Sequence, residues 1–347
     1  MINYDTSIRK TPSTLDQSKK NILLIGKGTK NEKAKVILNP MNINNAKNIY
    51  GESQLYEAYK SAREITNDNN IYTVNCPVFT DFIEIIDSLV QYNFDFIVPI
   101  DIYLRDTFVN PVTDKVTYFC AYYLERLGMT GNQTTLIMTD RASDIYDDID
   151  VYLDDMNEVV SSFKNKNTEI ISQYGNNLVF ILNNLTNNAF SHVILAASLS
   201  VHNFTEYPVN ISNNTYFDID YSDIDNDSIC FYKYHPISRF SSVEQLFNFR
   251  KANDIYKKVL IDILIKHVVK QLDLSEFNGC LYNPYIKVQI ENKAKRIMQE
   301  LKKYAFVDYK IKSIQFVKTD IGVGRVLIDV AIVPYSILET INIFMEV

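Results

Sequence analysis

IKVQIENKAKRIMQELKKYAF, residues Ile286 to Phe306, runs almost directly into YKIKSIQFVKT (Tyr309 to Thr319) and then, across Asp320-Ile321-Gly322-Val323-Gly324, into RVLIDVAIVP (Arg325 to Pro334). In the first piece Ile290, Ala294, Ile297, Met298 and Leu301 recur at three- and four-residue spacing, which predicts an amphipathic helix. Lys293, Lys295, Arg296, Lys302 and Lys303 are left for its outside. The next two pieces alternate as strands, and the glycines between them suit a reversing turn, so they read as one hairpin. After Pro334 and the polar pair Tyr335-Ser336 the chain resumes as LETINIFMEV, a further strand pattern. A proline separates that strand from the hairpin, so its backbone groups need a partner elsewhere.

Working outward, a long helix is expected over Val243 to Leu272, with Leu246, Phe249, Ile255, Val259, Leu260, Ile263, Leu264, His267 and Val268 on one broad stripe. With the helix and hairpin it makes a C-terminal α+β domain. Upstream the pattern changes to apolar strands alternating with helices. Strands are expected at Asn21 to Gly26, in VILNPMNI, and at Ile71 to Cys76, Phe94 to Asp101, Thr135 to Asp140 and Asn177 to Leu182. Helices are expected at Ser53 to Thr66, Phe79 to Tyr92, Asp114 to Leu127, Asp144 to Phe163 and Ala189 to Asn203. This alternation is the signature of an α/β domain with a mostly parallel, buried sheet. The expected organisation is an N-terminal arm (1–21), an α/β domain (22–235), an α+β domain (236–334) and a C-terminal arm strand (335–347). The two arms are extended.

Composition agrees with a chain of regular elements. Its 347 residues suggest about two domains, and the 46% apolar fraction is ample for their cores. Nine glycines and nine prolines are few for this length, which argues against loops and repeats. A net charge of −7 argues against a general nucleic-acid binder, because neutralising phosphates needs clustered cations. Cys76, Cys120, Cys230 and Cys280 are far apart with no C-x-x-C pair, so buried thiols in a reducing compartment are expected. There is no charged-then-apolar leader and no apolar run of about 18 residues. The reading is therefore of a chain made in the cytoplasm, with no direct membrane insertion.

Chemical motifs are scarce. GKGTK (Gly26 to Lys30) follows the first strand, but lacks both the four-residue gap of a Walker loop and the three spaced glycines of a dinucleotide loop. Asp218, Asp220, Asp223, Asp225 and Asp227 alternate like a calcium loop, yet from Asp223 the sixth and twelfth positions are Ser228 and Tyr234, where glycine and glutamate are needed. Asp147, Asp148, Asp150, Asp154 and Asp155 read as a solvent-facing helical surface. His192, His202 and His267 fall in or at the ends of apolar helices and have no metal spacing. No G-x-S-x-G, H-E-x-x-H or Cys/His arrangement occurs. No catalytic residue, cofactor or metal site is expected.

The order of elements resembles the contractile tail sheath family of myophages, R-type bacteriocins and related injection particles. NILLIGKG, NPMNI and the Ile49-Tyr50-Gly51 step resemble the family's glycine-ended first strand and the step that follows it. VILAASLSVHNFTEYP resembles the alanine-rich stretch before its mid-chain loop. The closing region, with a helix from near Arg250, a basic helix through Ile297 to Leu301, a hairpin and a final strand after Pro334, stands in the sheath order. The proline-glycine-aromatic start common in sheaths is missing, Pro236 to Ser242 matches only loosely, and the short chain leaves no room for outer protruding domains.

The resemblance implies a structural subunit that polymerises as stacked hexameric rings around an inner tail tube and contracts to drive that tube through a cell envelope. It implies arm strands given to neighbouring subunits, at Ile2, Tyr4 and Ile8 and at Leu338, Thr340, Ile341, Ile343 and Met345. It implies a receiving hairpin at Ile311, Ile314, Phe316, Val326, Ile328 and Val330, and a tube-facing surface at Lys293, Lys295, Arg296, Lys302 and Lys303. Baseplate and tail terminator proteins are further implied partners. Assembly would occur in the bacterial host cytoplasm, and the product would be a virion tail or a released particle. The alternatives are a sheath-like terminator or baseplate-proximal ring protein, and an α/β enzyme acting on a nucleotide or small anion.

Overall fold

The computed structural model describes residues 3–4, 20–30, 34–66, 70–78, 81–89, 92, 94–110, 113–129, 134–139, 149–181, 190–201, 230–234, 239–244, 264–268, 271–272, 274–277, 280, 283–318 and 324–333. The chain divides into two compact units, Met1–Val201 with Val209–Val259, and His202–Pro208 with Leu260–Val347.

The first unit is an α/β domain. Its strands are β1 (Asn3–Tyr4), β2 (Ile22–Gly26), β3 (Val36–Leu38), β4 (Ile71–Asn75), β5 (Phe96–Pro99), β6 (Thr107–Val109), β7 (Val116–Tyr118), β8 (Thr135–Met138), β9 (Leu178–Ile181), β10 (Cys230–Tyr234) and β11 (Arg239–Glu244). Among the described residues nine of them form one mixed, mostly parallel sheet in the order β1-β3-β4-β2-β5-β8-β9-β11-β10. The central run β4-β2-β5-β8-β9 is parallel throughout. Every residue of β2, β4, β5 and β8 is buried. Both sheet faces are therefore covered, and that is why these strands read as unbroken apolar runs.

The helices are α1 (Ile43–Tyr50), α2 (Gln54–Ile65), α3 (Asp81–Leu89), α4 (Phe119–Met129), α5 (Ile149–Lys166), α6 (Thr168–Tyr174) and α7 (Ser191–Val201). Polar residues start them: Asn42 caps α1 by accepting from the Asn45 N–H at 2.9 Å, and Ser53 caps α2 by accepting from Tyr56 at 3.2 Å. α1 stops at Gly51, whose φ of 67° is the left-handed region that favours glycine and whose N–H closes onto the Lys47 carbonyl. The core runs from Leu23, Ile25 and Val74 through Phe82 and Phe119 to Leu136, Phe163 and Phe180.

Two expectations change here. Residues 114–118 are not helical. Val116–Tyr118 pairs antiparallel with Thr107–Val109 as a hairpin, and the helix begins only at Phe119. Phe108 and Tyr118 pack against the core from this hairpin, and that packing overrides the helical pattern. The long helix expected from Val243 also fails at its start, because Val243 and Glu244 pair with Ile181 and Phe180 of β9, and Val243 pairs on its other side with Cys230 of β10. β-Branched Val243 suits a strand. The first unit therefore continues past residue 235, and helix returns at 264–268.

The second unit contains α8 (Pro284–Lys302) and an antiparallel hairpin of β12 (Asp308–Lys318) and β13 (Gly324–Val333). Asn283 caps α8 by accepting from the Ile286 N–H at 2.9 Å, and Pro284 occupies the first turn, where no backbone donor is needed. Leu264, Val268, Met298, Leu301, Ala305 and Phe306 are buried together, with Tyr309, Val330 and Ile332 of the hairpin packed on them. No helix among the described residues is long and apolar enough to cross a membrane.

Candidate interaction sites in the two units

The six hairpin positions singled out from the sequence meet as three cross-strand pairs: Ile311 opposite Val330, Ile314 opposite Ile328, and Phe316 opposite Val326. Ile311 and Ile314 are three residues apart, which in a regular strand would set them on opposite faces. A register shift between Ile311 and Ser313 inserts one residue and returns Ile314 to the face of Ile311. Tyr309 and Ile332 continue that face onto the core beside α8. The other face carries Lys310, Gln315 and Asp329, all exposed. Among the described residues β12 and β13 pair only with each other. Along their outer edges the backbone donors and acceptors have no strand partner among the described residues. The C-terminal arm residues Leu338, Thr340, Ile341, Ile343 and Met345 lie outside the described residues, as do Ile2 and Ile8. Tyr4 is in β1, paired in parallel with Ile37 of the same chain.

The five cations of α8 do not form one face. Lys293 and Lys295, two residues apart, fall on nearly opposite flanks of a 3.6-residue helix. Four of the five are paired. Lys293 Nζ lies 3.0 Å from Glu276, Lys295 is 2.8 Å from Glu291, Lys302 is 2.8 Å from Asp308, and Lys303 is 2.6 Å from Glu300. Hydrogen bonding to Lys302 holds the Asp308 carboxyl below its ordinary range, and Lys295 does the same for Glu291. Arg296 is exposed and has no ion-pair partner among the described residues. Exposed pairs are screened by water and contribute little, so incoming carboxylates can replace these partners readily. Glu291 and Glu300 lie at helical spacing from their lysines, but the pairs of Lys293 and Lys302 were not visible in the helix sequence, since Glu276 and Asp308 come from outside it.

GKGTK sits at the carboxyl ends of β2, β4 and β5, beside a crevice of about 550 Å³ lined by Lys27, Thr29, Ser53, Gln54, Val78 and Asp101. The parallel strands reverse their order of addition at β2 and β5, and open α/β sheets bind ligands at such points. A phosphate there would need free loop amides. These are committed elsewhere: Lys27 N–H donates to Asp101 Oδ2 at 2.9 Å, Gly28 N–H to Asn75 Oδ1 at 2.8 Å, and Thr29 N–H to the Tyr50 carbonyl at 2.8 Å. Gly28 is needed for contact, because a Cβ would come within 3.1 Å of the Asn75 amide. The loop braces β4 against α1 and does not form a phosphate cradle. Burial raises the Asp101 carboxyl above its ordinary range, with the Lys27 amide opposing it.

His192 is buried on α7, and desolvation lowers its imidazole to about 4. His267 is buried in the second unit with a ring nitrogen 3.2 Å from the Tyr304 hydroxyl. His202, Asp147, Asp148 and the 218–227 aspartates lie outside the described residues. Asp155 of α5 pairs with Arg105 at 2.8 Å. Cys76 and Cys120 are buried thiols, and Cys280 is exposed. Among the described residues no group of three or more His, Cys, Asp or Glu side chains is placed to hold a metal ion.

No protein-family model matches the chain, and no curated protein sequence matches it.

Proposed function

We propose that the chain is the structural subunit of a contractile tail sheath. The observation that carries this reading is the ten-residue-long hairpin β12–β13, which has two open edges among the described residues and is followed in sequence by a strand pattern beyond Pro334. A third strand added along an edge supplies backbone hydrogen bonds without any change in the body of the subunit. In this reading residues 335–347 leave the α8–hairpin body of their own second unit as an extended arm and complete the hairpin of a neighbouring subunit. Repetition of that heterologous contact builds stacked rings. Asn3–Tyr4 pair with β3 of their own chain, so an N-terminal contribution to a neighbour falls to the other residues before Asn21.

The tube contact falls to the exposed cations Lys295, Lys302 and Lys303, whose intramolecular partners are weakly held. Contraction would be a transition between two lattice packings joined by flexible covalent arms, with no nucleotide step. The loop amides committed to Asp101, Asn75 and Tyr50 agree with that last point.

Electron micrographs of the purified protein test the proposal. Long hollow polymers support a sheath, single rings point to a terminator or baseplate-proximal ring protein, and dispersed monomers reject both. Replacing Lys295, Lys302 and Lys303 by glutamate is expected to weaken co-sedimentation with tube while polymers still form. Unchanged tube binding would remove these cations from the contact.

A further inference from the structure

A groove of about 610 Å³ runs along α8 beside the short 3-10 turn Ser275–Phe277. Phe277 and Ile286 are half-buried along it, and Lys293 and Arg296 stand at its rim. Lys293 is held in place from two sides, by Glu276 at 3.0 Å and by the Phe277 ring, whose centroid lies 5.9 Å from the ammonium. Glu276 is more than half exposed, so its carboxylate exchanges easily with a competing one. Arg296 adds a planar, permanently charged donor set with no ion-pair partner among the described residues. The lining also holds Glu276, Gln289 and Asn292, and two apolar side chains beside two cations and two amides suit an acidic segment that also carries aromatic or aliphatic side chains and can displace Glu276.

The chain contains such a segment. Residues 217–227 read FDIDYSDIDND, with five aspartates, no Lys or Arg, and Phe217, Ile219, Tyr221 and Ile224 interleaved. The other acidic cluster is less suited, because Asp155 is already engaged by Arg105. We infer that the groove lined by Phe277, Ile286, Lys293 and Arg296 receives the aspartate-rich segment 217–227 of a second copy of the chain. The inference rests on the self-assembly reading above, since each subunit then offers one groove and one segment and the contact propagates through the lattice. It adds to the strand-addition contact a charge-based one that salt weakens.

The test uses a fluorescein-labelled peptide of residues 215–229 and the full-length protein. Fluorescence anisotropy is expected to show binding that weakens as salt is raised, falls at least about tenfold in Arg296→Glu, and is lost when the five aspartates of the peptide are replaced by asparagine. No binding, or equal binding by the neutral peptide, overturns the inference. A Ser222→Cys variant then identifies which copy supplies the segment, because Cys280 is an exposed thiol on the groove lining. Mild oxidation is expected to give cross-linked oligomers that disappear in Ser222→Cys/Cys280→Ser. A cross-link confined to monomers overturns the assignment to a second copy. Micrographs of wild-type protein separate the two readings. Polymers without peptide binding reject the groove contact alone, and peptide binding with intermolecular cross-links but no polymers rejects the sheath alone.

Discussion

His192 is replaced by leucine, and stability is followed into acid. The side chain is 1% exposed on α7, neither ring nitrogen has a hydrogen-bond partner of normal geometry, and desolvation pulls its pKa to about 4 against a smaller opposing pull from the Pro99 carbonyl. The unfolded chain titrates near the ordinary value of 6.5. Between these values the unfolded state binds a proton that the folded state refuses, so stability rises with pH and is lost as pH falls from about 6.5 toward 4. The gap corresponds to about 3 kcal/mol at ~1.36 kcal/mol per pH unit, a large share of the ~5–15 kcal/mol typical of a folded domain. Urea unfolding followed by circular dichroism at pH 7 and pH 4 measures it. Relative to wild type, His192→Leu is expected to gain about 3 kcal/mol in the acid condition, and at pH 7 to match or exceed wild type, because two unpaired buried nitrogens are removed. Parallel loss of stability in both proteins would refute the reasoning.

Asn75→Ala leaves the Gly28 N–H and the Lys30 carbonyl without the side-chain amide that joins both. A destabilisation of about 1–3 kcal/mol is expected in urea unfolding, and a change within error would show that water replaces the amide. Phe306→Ala empties a fully buried position in the second unit. It is expected to cost about 3–5 kcal/mol and to speed hydrogen exchange in β12 and β13 while β2, β4 and β5 stay protected. Equal loss of protection in both units would contradict their separate cores.

The parts of the fold that were legible in sequence are those where one physical demand dominates. β2, β4, β5, β8 and β9 are covered on both faces and appear as short apolar runs, and α8 with its hairpin appears through two clean periods and a glycine-bearing turn. The hairpin β6–β7 was missed because its strands are only three residues long and lead straight into α4, so a helical period could be drawn through Asp114. β11 was missed because a helical period could be drawn from Val243, whereas Arg239–Val243 pairs with the neighbouring β10 as a hairpin and only Val243 and Glu244 reach β9. At the candidate sites the six apolar hairpin positions were legible, but the inserted residue that sets them on one face was not. The cations of α8 were legible as charges. Their neutralisation by Glu276 and Asp308 depends on tertiary packing, as does the commitment of the GKGTK amides to Asp101, Asn75 and Tyr50.

The most direct test of the central claim is sedimentation velocity of full-length protein beside a chain lacking Ile337 to Val347. The account predicts large polymers for the full-length chain, and a folded monomer with native circular dichroism for the shortened one. Polymers of undiminished size from the shortened chain would contradict it.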